Sequence, residues 1–158
     1  MTHSDTPQLT LKRFFPYRLA NLQAAVSGAV GRLYTGRFNL THQEWRVLAT
    51  LSEYPELSAK DIATHTNLEK MQVSRAIARM TERGLLLQHP AAHDRRYLRL
   101  QLTEKGLQTY RDIVPLVLER EAYLLDALSA EEQQLLDGLL DKLLERTHQL
   151  AEQDKLKE

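Results

Sequence analysis

Glu69-Lys-Met-Gln-Val-Ser-Arg75-Ala-Ile-Ala-Arg79-Met-Thr-Glu-Arg83-Gly84 sets apolar residues at a helical spacing with polar ones between them. Val73, Ile77 and Met80 recur so that one side of a helix can dock on a core. Gln72, Arg75 and Arg79 follow at three- and four-residue steps and read as an opposite, polar stripe. Gly84 stands where a residue of positive φ ends a helix. Upstream, Thr41-His-Gln-Glu44 has the form of a capping box and leads into Trp45, Val47, Leu48 and Leu51, a pattern that stops at Tyr54-Pro55. Ser58-Ala-Lys-Asp61 opens a shorter helix that ends around Thr66-Asn67. Three helices with a short polar turn before the last form a helix-turn-helix pattern.

Beyond Gly84 the period changes. Leu98, Leu100 and Leu102 alternate with Arg99 and Gln101, as in a half-buried strand, and Leu85-Leu86-Leu87 is the expected partner. The polar segment His89-Pro-Ala-Ala-His-Asp-Arg-Arg96 then forms the tip of a hairpin, or wing. Thr103 caps a further helix, which Pro115 is expected to bend because its nitrogen cannot join the hydrogen-bond ladder. Ser129-Ala-Glu-Glu132 opens the last helix, whose Leu135, Leu136, Leu139, Leu140, Leu143 and Leu144 make a broad apolar stripe. The segment Leu9–Tyr34 is also amphipathic, with Phe14, Phe15, Leu19, Leu22 and Val26. These terminal stripes either build an interlocked dimer or cover the lobe's own core. The expected fold is mainly α with a small β-hairpin: a winged helix-turn-helix with N- and C-terminal helical dimerisation arms. Residues 1–40 form the N-terminal arm and first helix, 41–106 the DNA-binding lobe, and 107–158 the C-terminal dimerisation helices.

Composition narrows the function. The 158 residues contain no cysteine, which excludes disulfides and thiolate redox sensing. No apolar run approaches the roughly 18 residues that span a bilayer, and the polar start of the chain has no secretory signature, so a cytoplasmic protein is expected. The formal net charge of zero speaks at first against nucleic acid. Its distribution speaks for it: Leu68 to Arg99 holds seven Lys/Arg against three acids, whereas Glu119 to Glu158 holds five against eleven. One surface is suited to phosphate and another faces away from it.

The block Glu44–Gly106 resembles the multiple antibiotic resistance regulator (MarR) family. The resemblance is carried by Leu68-Glu-Lys-Met-Gln-Val-Ser-Arg75, then Met80-Thr-Glu-Arg-Gly-Leu85, then Asp94-Arg-Arg96, then Leu102-Thr-Glu-Lys-Gly106, in that order and spacing. It implies a homodimer with two winged lobes on a pseudo-palindromic operator in double-stranded DNA, and repression relieved by a small ligand. In the recognition helix, Arg75 and Arg79 suit guanine and Gln72 suits adenine in the major groove. Ser74 resembles the family's serine near the helix start and suits a base or a phosphate. Lys70 suits a phosphate at the helix N-terminus. The resemblance implies that Arg96 enters the minor groove, held by Asp94, with Arg95 on a phosphate. The alternative is a helical interaction protein without sequence-specific DNA binding, which leaves Arg75, Arg79 and Arg96 without a role.

A ligand is expected where the arms join the lobes. Arg18, Trp45 and Arg46 are its candidate contacts, Arg18 to pair with a carboxylate and Trp45 to wall an aromatic ring. Trp45 is equally suited to anchor the core, and Arg18 to face solvent. The resemblance implies phenolic compounds, aromatic acids or their coenzyme A thioesters. Of the six histidines His89 and His93 are four apart, but in a strand and loop, where that spacing does not put two rings on one face, so no metal and no cofactor are expected. No nucleophile–base arrangement or phosphate-binding glycine loop points to an enzyme.

Overall fold

The computed structural model describes residues 8–91 and 98–155. Among these, a 3-10 turn at Leu11–Arg13 precedes helices α1 (Phe15–Thr35), α2 (His42–Glu53), α3 (Ala59–Thr66) and α4 (Lys70–Glu82). Strands β1 (Leu86–Pro90) and β2 (Leu98–Leu102) follow, then α5 (Glu104–Leu125) and α6 (Ala130–Lys155). The chain divides into two units, Met1–Leu118 and Glu119–Glu158, with the division inside α5.

Local chemistry sets most of the boundaries. Thr41 Oγ1 accepts from the Glu44 amide at 3.1 Å while Glu44 Oε2 accepts from the Thr41 amide at 2.7 Å, closing the capping box of α2. Ser58 and Asp61 do the same for α3, and Ser129 and Glu132 for α6. The α3–α4 turn passes through Asn67 at φ +51°, a left-handed conformation that asparagine tolerates better than most residues. At the end of α4, Gly84 takes φ +68°. Its amide donates to Thr81 and the Leu85 amide to Met80, the paired bonds of a Schellman motif.

That motif corrects the expected start of the hairpin. Leu85 is taken up by the helix stop, so β1 begins at Leu86 and runs on through His89 and Pro90, which had been expected in the loop. The strands pair antiparallel from Leu86↔Leu102 to Pro90↔Leu98. Leu100 also donates to the Leu57 carbonyl at 2.8 Å, fastening the hairpin to the α2–α3 connection. Leu100 and Leu102 are buried, but Leu98 is half exposed and walls a cleft described below. Helix α5 runs on through Pro115.

The core is built from Val47, Leu48 and Leu51 of α2, Ile62 of α3, Val73, Ala76, Ile77 and Met80 of α4, and the buried leucines of the hairpin. Gly106 lets α5 approach this core. A Cβ there would collide with the Leu85 carbonyl oxygen, while Thr103 caps the helix by accepting from the Gly106 amide at 3.0 Å. The apolar stripes of α1 and α6 stay exposed in the single chain, from Phe15 and Leu22 on one to Leu139 and Leu144 on the other. No helix among the described residues is long and apolar enough to cross a membrane.

Candidate nucleic-acid interface and effector cavity

Helix α4 buries Val73, Ala76, Ile77 and Met80, and this fixes which side chains look outward. At about 100° per residue, the direction opposite those four falls on Met71, with Ala78 and Arg75 within roughly 30° of it. Gln72 and Arg79 lie about 70–90° further round, on the flank that faces α2. The expected stripe of Gln72, Arg75 and Arg79 keeps to one side of the helix: all three line a cleft of about 300 Å³ against Thr41, Gln43 and Glu44, with Arg75 nearest the outward pole.

Both flank residues are engaged. Gln72 Oε1 accepts from the Glu69 amide at 3.1 Å and so caps α4. Arg79 Nε lies 3.1 Å from Oε1 of Glu44, whose side chain is only 1% exposed, an ion pair whose geometry falls short of a directed hydrogen bond. Arg83 adds a second tie, donating to the carbonyls of Phe38 and Asn39 at 2.8 and 2.7 Å. The orientation of α4 is thus set by contacts with α2 and with the segment before it. Among the described residues, Arg75 and Lys70 have no carboxylate at ion-pair distance.

On its other flank α4 faces the hairpin across a cleft of about 500 Å³. Its floor is apolar, with Val73, Ile77, Leu98 and Leu100, and Lys60, Lys70, Ser74 and Gln88 stand among its walls. Lys60 was missed in the sequence because Ser58-Ala-Lys-Asp61 reads fully as a cap. A cation in the first turn of a helix opposes the helix dipole, and that misfit is the signal that finds it. Asp94, Arg95 and Arg96 lie outside the described residues.

The base of the wing is held by Arg99. Its Nη1 lies 3.2 Å from Asp61 Oδ2 and 3.4 Å from the Glu56 carbonyl. The Ser58 hydroxyl and amide also donate to Asp61, at 2.7 and 3.0 Å. These bonds, Ser58 first and Arg99 after it, hold Asp61 below the usual carboxylate range. An unfolded aspartate takes its proton near pH 3.9 and folded Asp61 only at lower pH, so acid is bound first by the unfolded state. The stability from this group is full above about pH 5 and is lost as pH falls through the folded value. Asp61→Asn should therefore be less stable than the wild type at pH 7, with the gap narrowing toward pH 3. A gap of constant size in urea titrations at both pH values would contradict this.

A third cavity, of about 380 Å³, lies between α1, the start of α2 and the α3–α4 turn. Gln23, Ser27, Tyr34, His42, Arg46 and Gln72 line it with Gln43, Asn67 and Leu68. The Tyr34 hydroxyl is 2.8 Å from His42 Nδ1. Burial raises the Tyr34 phenol above its ordinary value, with Arg46 pulling it part of the way back, so it stays protonated and can donate to that nitrogen. The close fit of His42 requires Gly31, where a Cβ would strike the imidazole. Arg46 donates to the Thr66 carbonyl at 3.3 Å. Of the expected ligand residues, only Arg46 reaches this cavity. Trp45 lies behind the wall, stacked between Tyr34 and Tyr110 at centroid distances of 5.3 and 6.0 Å. Arg18 is exposed on α1 and does not line the cavity.

A three-helix lobe with a hairpin and an outward cationic helix has known counterparts. A family model described as a winged helix DNA-binding domain matches residues 40–106. The HTH-type transcriptional regulator FarR of Neisseria gonorrhoeae is 30% identical over 105 residues, which cover 66% of this chain and 72% of FarR. A solved MarR/EmrR family transcriptional regulator from Acinetobacter sp. ADP1 superposes with a TM-score of 0.81 at 26% identity, covering 89% of this chain and 99% of that one. The chain belongs to the MarR family of winged helix transcriptional regulators. The homoprotocatechuate degradative operon repressor of Escherichia coli is 29% identical over 108 residues, 68% of this chain and 73% of that protein. As in the MarR resemblance read from the sequence, the matched lobe holds α2, α3, α4 and the hairpin, so the outward face of α4 lies inside the family's DNA-binding domain.

Proposed function

We propose that this MarR-family chain acts as a homodimeric repressor rather than an enzyme, binding a pseudo-palindromic operator and releasing it when a small aromatic acid fills the cavity beside α4. The observation that carries this reading is the double engagement of Gln72, which lines that cavity and also closes the N-cap of the recognition helix. A ligand drawing on the Gln72 amide or on Arg46 competes with the bonds that fix the start of α4 and the Thr66 carbonyl. A change there alters how α4 meets the groove. The cavity is of a size that suits a single-ring acid, and it offers an aromatic wall, a cation and neutral donors. The E. coli relative is by name the repressor of a homoprotocatechuate degradative operon, and homoprotocatechuate is an acid of this class, an aryl ring bearing hydroxyls and a carboxylate.

On the DNA side, Arg75 and Ser74 face base edges, and Lys70 and Lys60 grip phosphate from the two walls of the apolar cleft. Arg95 and Arg96, supported by Asp94, extend the contact through the wing. Gln72 and Arg79 act as positioning residues that hold α4 at its angle. The exposed stripes of α1 and α6 form the dimer interface, with half-sites about one helical turn (~34 Å) apart.

The ligand half is tested with homoprotocatechuate. Calorimetric titration is expected to give binding to the wild type, and Arg46→Ala should weaken it about ten-fold or more, the worth of a charge-assisted hydrogen bond. In fluorescence anisotropy on the duplex upstream of the protein's own gene, saturating acid should loosen wild-type binding. Equal ligand affinity in wild type and Arg46→Ala would remove Arg46 from the site. Unaltered DNA affinity at saturation would refute release.

A further inference from the structure

Met71 stands out on the lobe because it is 64% exposed while the other apolar side chains of α4 longer than alanine are buried. It occupies the outward pole of the recognition helix as its second residue, with the exposed methyl of Ala78 two turns further on. Arg75 stands about 40° from it on the same face, and Lys70 precedes it on the flank toward the hairpin cleft, so the thioether lies between two cations. Two small apolar groups among cations are too little surface for a protein partner, which needs hundreds of Å². They match the one apolar feature of the major groove, the C5 methyl of thymine. Glu82 shares the same pole at the C-terminal end, but base edges are met by the N-terminal residues of a recognition helix.

We infer that Met71 is a specificity-determining residue that reads a thymine methyl in each half-site, with Ala78 extending the apolar strip. The inference rests on the DNA-binding reading above. Methionine suits the task because its unbranched, polarisable side chain adapts to a methyl without demanding a fixed hydrogen-bond geometry. Arg75, beside it, supplies the directional contact.

The test uses the full chain and a duplex of about 30 base pairs that the wild type selects from a randomised pool. Each thymine of that duplex is replaced in turn by uracil, which removes only the methyl group, and affinity is read by anisotropy. In one position of each half-site, uracil should weaken wild-type binding about four-fold, the worth of one buried methyl. Met71→Ala should weaken binding to the thymine duplex and lose the distinction between the two bases at that position. Because Met71 is exposed, circular dichroism melting should match the wild type. The inference is overturned if uracil is tolerated at every position, or if Met71→Ala keeps the discrimination. A fall in dimer mass for Met71→Ala would assign the residue to a protein interface and overturn it as well. Enrichment of no duplex at all would instead refute the DNA-binding reading on which it rests.

Discussion

Glutamate at both Leu139 and Leu143 is expected to turn the protein into a monomer and to weaken operator binding by about a hundred-fold or more. The two residues lie one turn apart on α6, each more than 40% exposed in the single chain, within a stripe that continues through Leu135, Leu136, Leu140 and Leu144. A contiguous apolar band of that length on a soluble protein marks an association surface. Two carboxylates in its centre put four charges into the apolar middle of the dimer interface, and desolvating them outweighs the remaining leucine contacts. The loss of DNA affinity follows from geometry, because two linked lobes bind the second half-site at a high effective concentration that a monomer forfeits. Each monomer should stay folded, since none of the α6 residues is buried in the lobe core. Analytical ultracentrifugation and anisotropy read the two effects. A dimer that survives the substitutions would assign the stripe elsewhere.

Arg79→Ala should destabilise the lobe by roughly 2–3 kcal/mol, while Arg75→Ala should leave stability within about 0.5 kcal/mol of the wild type. The difference arises at Glu44. Its carboxylate is buried and serves two partners, the Thr41 amide through one oxygen and the Arg79 guanidinium through the other. Removing Arg79 leaves a buried charge whose only remaining partner is a cap, and that cost exceeds what the half-exposed pair itself contributes. The cost should be partly recovered by adding Glu44→Gln, which keeps an oxygen for Thr41 and removes the charge. Urea unfolding of the four proteins in this cycle checks the claim. Equal stability of Arg79→Ala and the wild type would return Arg79 to the solvated or purely DNA-contacting role that its spacing first suggested.

What the sequence makes legible here is what local chemistry decides. The boxes at Thr41 and Ser58, the stop at Gly84 and the alternation around Leu100 each involve residues within a few positions, and each appears where its spacing puts it. What was not legible depends on partners distant in the chain. Arg79 is drawn aside by Glu44, 35 positions earlier, so a polar residue at the right spacing is not an outward one. Met71 is the converse case: the period of Val73, Ile77 and Met80 already sets it on the opposite pole, but an apolar residue there lacks the polar character by which the other candidates stand out. Trp45 has the composition of a ligand wall, yet the rings of Tyr34 and Tyr110 enclose it. The cavity itself joins α1 to the α3–α4 turn across some forty residues; of its lining Arg46 alone had been picked out for a ligand, and Gln72 had been assigned to the groove.

The central claim, that the outward face of α4 meets base edges through Arg75, is tested most directly by comparing the wild type with Arg75→Ala on the duplex the wild type selects. Anisotropy titrations at several salt concentrations should give a dissociation constant about ten- to hundred-fold weaker for Arg75→Ala in each half-site. The slope of log affinity against log salt should change by less than about one per half-site, because the lost contact is to a base and not to a phosphate. Equal affinity of the two proteins, both folded and dimeric, would contradict the account.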